Sequence, residues 1–206
     1  MAQLFAIHPT HPQARLVRRA AAMVRDGGLI AYPTDSCYAL GCALDAAQPL
    51  ARLRRVRGID ERHHLTLMCR SVAEVAAHAM VGDESFRFLK VPGSYTFILP
   101  ARRQVPRRVT RKKTIGVRVA THPVALALLA ELDEPMLTAT LLLPGDAAPL
   151  SHPDEIRRRL EHELDLVIDS GDCGTEPSTI IDLTGPAPVV LRPGKGSLAP
   201  FTVESV

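Results

Sequence analysis

Tryptophan is absent from the chain, and aromatic residues make up only 4 % of it, so valine, leucine, isoleucine and alanine must fill any interior. No stretch of about 18 apolar residues occurs, so nothing is expected to cross a membrane as a helix. The opening residues, MAQLFAIHPTHPQARL, lack the apolar core of a secretory leader. A cytoplasmic location is the default expectation. The four cysteines (Cys37, Cys42, Cys69, Cys173) form no C-x-x-C pair and the eight histidines no H-x₃-H pair. Buried free thiols are therefore expected, with no metal held by the protein itself. The glycine-rich phosphate loop, the dinucleotide-binding G-x-G-x-x-G and the G-x-S-x-G elbow are all missing. Any nucleotide must be held without a P-loop. A net charge of +3, from 25 basic and 22 acidic side chains, is too small by itself to signal nucleic acid.

What is present describes an ordinary globular chain, 46 % hydrophobic and 23 % charged over 206 residues. At this length about 70 % of the unfolded surface can be buried, so a core needs no disulfide or metal. Helical spacing runs from Pro12 to Val24 and stops at Gly27-Gly28. Further helices are expected over 46–57, after the capping box Ser71-x-x-Glu74, from Thr121 and Pro123 through Leu132, and from Ser151 and Pro153 through Leu164. Strands are expected at 29–32, resuming after the turn in the second apolar run that closes on Gly41, and at 65–69, 94–99, 114–119, 136–143, 166–169, 178–183 and 189–192. Helices interleave with strands early and strands dominate late. The pattern predicts an α/β fold, one large twisted mixed sheet with packed helices. It reads as a single domain over 1–206, with a core of about 13–194 and a C-terminal tail over 193–206.

Four elements carry candidate chemistry. In LIAYPTDSCYALGC, Thr34, Asp35 and Ser36 end one apolar run before another begins. They form either an ordinary turn, with Asp35 in an Asx hydrogen bond, or the lip of a polar-ligand site. Arg57-Gly58 closes a helix, where a cation complements the dipole or meets an anion. Arg118, in TIGVRV, is costly to bury without an anion and harmless at an exposed edge. Ser178 and Thr179 begin PSTIIDL, and Arg192 ends VVLR. Guanidinium forks match phosphate and carboxylate oxygens, so three arginines near hydroxyl-bearing strand ends suit an anionic ligand. Separately, ARRQVPRRVTRKK holds seven cations and no anion: Arg102, Arg103, Arg107, Arg108, Arg111, Lys112 and Lys113. It is either a solvated connection or a phosphate-tracking surface for tRNA or double-stranded RNA.

The segments AYPTDSCYALGC, PGSYTFILP, TIGVRV, STIIDL and VVLRPG, in this order, resemble the YrdC family of threonylcarbamoyl-adenylate synthases. IHP, TLMCR and LLLPG are most similar to its YciO branch. The resemblance implies a YrdC-like domain with a basic concave face that condenses L-threonine, bicarbonate and ATP into threonylcarbamoyl-AMP and pyrophosphate, for tRNA modification. By that resemblance Thr34 and Ser178 would bind threonine, Thr140 and Arg192 the nucleotide, and Arg57 and Arg118 would serve catalysis, with Mg²⁺ arriving through ATP. The chain also departs from the family pattern. After Arg57-Gly58 the family's Arg-Pro is replaced by Ile59-Asp60, its Pro-Leu by His64-Leu65, a following histidine by Met68, and Ser-x-Asn by Thr140-Leu141-Leu142. These changes fall on the nucleotide end. The alternative implied by the basic loop is a non-catalytic RNA-binding protein.

Overall fold

A computed structural model of the protein describes residues 1–61, 63–110 and 112–201. In chain order the elements are β1 (Gln3–Ala6), α1 (Ala14–Arg25), β2 (Ile30–Tyr32), β3 (Ala39–Ala43), α2 (Ala47–Arg57), β4 (Thr66–Cys69), α3 (Val72–His78) and α4 (Asp83–Leu89). They continue with β5 (Tyr95–Pro100), β6 (Thr114–Val119), α5 (Pro123–Leu132), β7 (Met136–Thr140), α6 (Pro153–Leu160), β8 (Leu166–Asp169), β9 (Thr179–Asp182) and β10 (Val189–Arg192). All ten strands join one mixed sheet in the order β1-β8-β2-β3-β7-β4-β6-β5-β9-β10. This is the α/β fold that the alternation of patterns predicts. Among the described residues, no helix is long and apolar enough to cross a membrane.

Each helix lies where its apolar stripe finds sheet. In α1 the buried residues Val17, Ala20, Ala21 and Val24 recur three and four apart. They pack with Val124, Ala125, Leu128 and Leu129 of α5 over Ile30, Tyr32, Met136, Leu166 and Ile168. The opposite face is covered by Leu50, Leu53 and Val56 of α2, Val75 of α3 and Ile156 of α6, seated on Leu40, Leu67, Val117 and Leu137. The α1–α5 layer covers only one half of its face. The other half is left open, and strand alternation puts Thr66, Thr96, Ile98, Gly116, Arg118, Thr138, Thr140, Ile180 and Arg192 there. The register confirms that they share it: Thr66 pairs with both Gly116 and Thr138, Ile98 with Gly116, and Ile180 with Thr96 and Arg192.

Three local features differ from the sequence pattern. β1 and α4 were not expected; each is short, at four and seven residues, too few to show a period. The strand expected over 136–143 ends at Thr140, where Leu142 N–H turns back to donate to the Thr140 carbonyl at 2.9 Å. Of the stretch expected as a C-terminal tail over 193–206, residues 193–201 pack back on the domain and 202–206 lie outside the described residues. Phe201 is buried, with its ring 5.1–6.0 Å from those of Phe88, Tyr95 and Phe97.

Candidate functional site

On the open half of the sheet face lies a hydroxyl-lined hollow of about 30 Å³, bounded by Thr34, Cys37, Thr66, Thr96, Arg118, Thr138, Thr140 and Ser178. A cleft of about 570 Å³ continues from it, bounded by Gly58, Ile59, Asp60, His63, His64, Ile98, Ile180, Leu191 and Arg192. The two adjoin because they use successive same-face positions of the same segments: His64 and Thr66, Thr96 and Ile98, Ser178 and Ile180.

The turn after β2 builds the hollow's wall. Thr34 Oγ1 donates to the Cys37 carbonyl at 2.7 Å and accepts from the backbone N–H groups of Ser36 and Cys37. The turn is thus closed by the threonine hydroxyl, not by Asp35. That frees the Asp35 carboxylate to accept from Arg118 Nη2 at 2.7 Å and Ser94 Oγ at 2.5 Å. Arg118 Nη2 also donates to Ser36 Oγ at 2.9 Å. Arg118 is only 7 % exposed, so the ion pair removes the edge-exposure alternative: its charge is buried and matched. Across the hollow, Thr96 Oγ1 and Ser178 Oγ share a hydrogen bond at 2.7 Å. Lys195 Nζ donates to the Asp35 carbonyl at 2.6 Å, fastening the C-terminal segment to the same turn.

Arg57 arrives by a different device. Gly58, left-handed at φ 61°, ends α2 in a Schellman motif in which Ile59 N–H donates to the Arg54 carbonyl and Gly58 N–H to the Arg55 carbonyl. This turn puts Gly58 and Ile59 on the border of the cleft. Burial lowers the pKa of the Arg57 and Arg192 guanidinium groups; the Cys37 thiol opposes the shift in both, and each lies within electrostatic reach of a second arginine. Arg192 Nη2 donates to the Ser178 carbonyl at 2.7 Å. The Cys37 thiol is the common neighbour of Arg57, Arg118 and Arg192, and burial still pushes its pKa up. Arg57, Arg118 and Arg192 each keep a buried Nε–H with no hydrogen-bond partner. Such a donor costs about 1–3 kcal/mol when left unmade. Arg54 keeps the same unpartnered Nε–H; of the four, Arg118 borders the hollow and Arg192 the cleft, with Arg57 within electrostatic reach of Arg192.

The structure therefore brings together Thr34, Arg118, Thr140 and Ser178 at the hollow and Arg192 at the cleft, while Arg57 lines neither and lies within electrostatic reach of Cys37 and Arg192. The described residues of the basic loop line neither. Arg102 Nε donates to the carbonyls of Ala76 and Ala79 at the end of α3, and Arg108 Nη2 to that of Asp45. Arg103, Arg107, Lys112 and Lys113 are exposed, and Arg111 lies outside the described residues. The departures split likewise. Ile59, Asp60 and His64 border the cleft, whereas Met68 is buried against the α1–α5 layer. Sequence reasoning missed Cys37, Ser94, Thr96 and Lys195. Only the alternation in SYTF, with Ser94 and Thr96 on one face and Tyr95 and Phe97 on the other, could have pointed to any of them.

The fold is a mixed-sheet α/β domain with a hydroxyl-lined hollow on the uncovered half of its sheet. The family model named Sua5_yciO_yrdC, described as telomere recombination, matches residues 22–194, and the chain belongs to that family. It is 47 % identical to YciO of Escherichia coli (strain K12), covering 98 % of this chain and all of that one. The crystal structure of E. coli YciO superposes with a TM-score of 0.95 over the same shares. A threonylcarbamoyl-AMP synthase of Halorhodospira halophila is 34 % identical over 80 % of this chain and 88 % of its own. The crystal structure of P. abyssi Sua5 complexed with L-threonine is 27 % identical with a TM-score of 0.84, over 93 % of this chain and 57 % of that chain.

Proposed function

We propose that the protein binds an L-threonine-like amino acid at the hollow and a nucleotide in the cleft, and joins them as a threonylcarbamoyl-AMP synthase. One observation carries this reading. A hydroxyl-lined hollow adjoins a larger cleft, Arg118 borders the first and Arg192 the second, and Arg57 lies within electrostatic reach of Arg192. The P. abyssi Sua5 relative, crystallised with L-threonine, supports the amino acid, and the H. halophila relative supports the reaction.

The hollow has room for one small polar group, so a threonine would place its head there and the rest at the mouth of the cleft. Thr96 and Ser178, already bonded to each other, offer hydroxyls to that head. The threonine amine and bicarbonate form a carbamate with loss of water. A carbamate oxygen then attacks the α-phosphorus of ATP, and pyrophosphate leaves. No side chain need act as a nucleophile. The arginines position two mutually repelling anions and offset the charge growing on phosphate. Among the described residues, no three His, Cys, Asp or Glu side chains gather as metal ligands. A magnesium ion bound to the nucleotide phosphates would supply the remaining charge neutralisation.

The test is pyrophosphate release from Mg-ATP and bicarbonate with and without L-threonine. Release that requires threonine supports the reading, and its absence at high protein concentration overturns it. A second reading, docking of tRNA or double-stranded RNA, is favoured by the exposed Arg103, Arg107, Lys112 and Lys113, which lie on one loop with no acid partner among the described residues. Binding through them would weaken steeply with salt; a flat response sinks it.

A further inference from the structure

On the reverse side of β5 and β6 lies a separate hollow of about 420 Å³, within the range typical of small-molecule sites. Its floor is Leu89, Tyr95, Phe97 and Val119, and Val72 and Val91 flank it. Ser71, Lys90 and Thr121 stand at its mouth, all exposed. Among the described residues, no carboxylate borders it. Lys90 has no acid partner among the described residues, and its ammonium rests 4.2 Å from the centre of the Phe86 ring.

We propose that this hollow binds a small hydrophobic carboxylic acid, its apolar body on Phe97, Leu89 and Val119 and its carboxylate beside Lys90. The floor excludes a polar ligand, because burying an unpaired polar group there is unfavourable. The mouth favours an anion over a neutral molecule, since it offers one ammonium and two hydroxyls and no acceptor carboxylate.

The site lies behind the residues that form the front hollow. Tyr95 and Phe97 flank Thr96, whose hydroxyl bonds to Ser178, and Val119 follows Arg118. Tyr95 also donates its hydroxyl to the Ser197 carbonyl at 2.9 Å and packs against Gly196, next to the Lys195 that holds Asp35. An acid bound behind β5 therefore presses on strands whose other side carries the candidate site.

Titrating the full chain with 3-phenylpropanoate and with its neutral amide tests the assignment. Wild-type protein is expected to bind the acid about fivefold more tightly than the amide, the scale of one partly exposed ion pair. Lys90→Ala should reduce the acid to the amide's level. Val91→Trp, which fills the hollow, should abolish binding of both. Backbone amide signals of Tyr95, Phe97 and Val119 should shift during the wild-type titration, a readout that does not depend on any variant folding. Absence of binding at millimolar concentration, equal binding of acid and amide, or shifts confined to Thr34, Ser178 and Arg192 would overturn it.

Discussion

Arg118 and Asp35, 83 positions apart in the chain, meet at 2.7 Å beneath the hollow, both largely withdrawn from water. The pair joins β6 to the turn after β2, and Ser94 ties the same carboxylate to the entry of β5. Removing one partner leaves the other buried and unmatched. Asp35→Ala is expected to lower stability by about 3–5 kcal/mol, read by urea denaturation. Arg118→Met combined with Asp35→Ala should recover part of that loss. A single variant as stable as wild type would show that the pair is solvated in solution.

Thr96 and Ser178 share a hydrogen bond at the point where threonine is proposed to bind. Ser178→Ala and Thr96→Val each remove one hydroxyl. Calorimetric titration should show L-threonine affinity falling about tenfold or more, from a lost or orphaned bond of about 1–3 kcal/mol. Unchanged affinity would move the amino acid elsewhere.

Gly58 is held left-handed, and a Cβ there would stand 2.7 Å from Pro144 Cγ. Gly58→Ala therefore meets both backbone strain and a collision. A loss of about 1–2 kcal/mol is expected in thermal or urea unfolding, together with weaker nucleotide binding as Arg57 shifts.

The buried Cys42 and the half-buried Cys173 set an alkaline limit. Burial pushes Cys173 up to about 11 and Cys42 up to about 12, from an ordinary 9.0. Between those values the unfolded chain gives up thiol protons that the folded chain retains. Stability is therefore intact below about pH 9 and falls as pH rises toward 11 and 12. Urea midpoints measured over that range should decline less steeply for Cys42→Ala than for wild type. Parallel slopes would contradict this.

Phe201 closes an aromatic cluster with Phe88, Tyr95 and Phe97. Phe201→Ala should cost about 3–5 kcal/mol of unfolding free energy, whereas a dispensable tail would show no change.

These residues also mark what was legible beforehand. The long periodic helices and the strands around TIGVRV and STIIDL were readable, because apolar spacing directly encodes which side is covered. Short elements such as β1 and α4 carry too few residues to show a period. Thr34, Arg118 and Ser178 could be singled out as chemistry-bearing types, but their meeting depends on β7 inserting between β3 and β4, a non-local pairing that no local pattern contains. The same limit hid Asp35 as the partner of Arg118 and Cys37 as the neighbour of three arginines. Phe201 fell within the expected tail because its APF segment has no periodicity, and only the distant rings it touches give it a place.

The most direct measurement follows carbon from labelled bicarbonate. Incubated with L-threonine and Mg-ATP, the wild-type protein is expected to transfer label into a species that co-migrates with threonylcarbamoyl-AMP, and Arg192→Ala to transfer markedly less. Label that stays in bicarbonate at high protein concentration, or transfer independent of threonine, would contradict a site in which hollow and cleft act on one amino acid and one nucleotide.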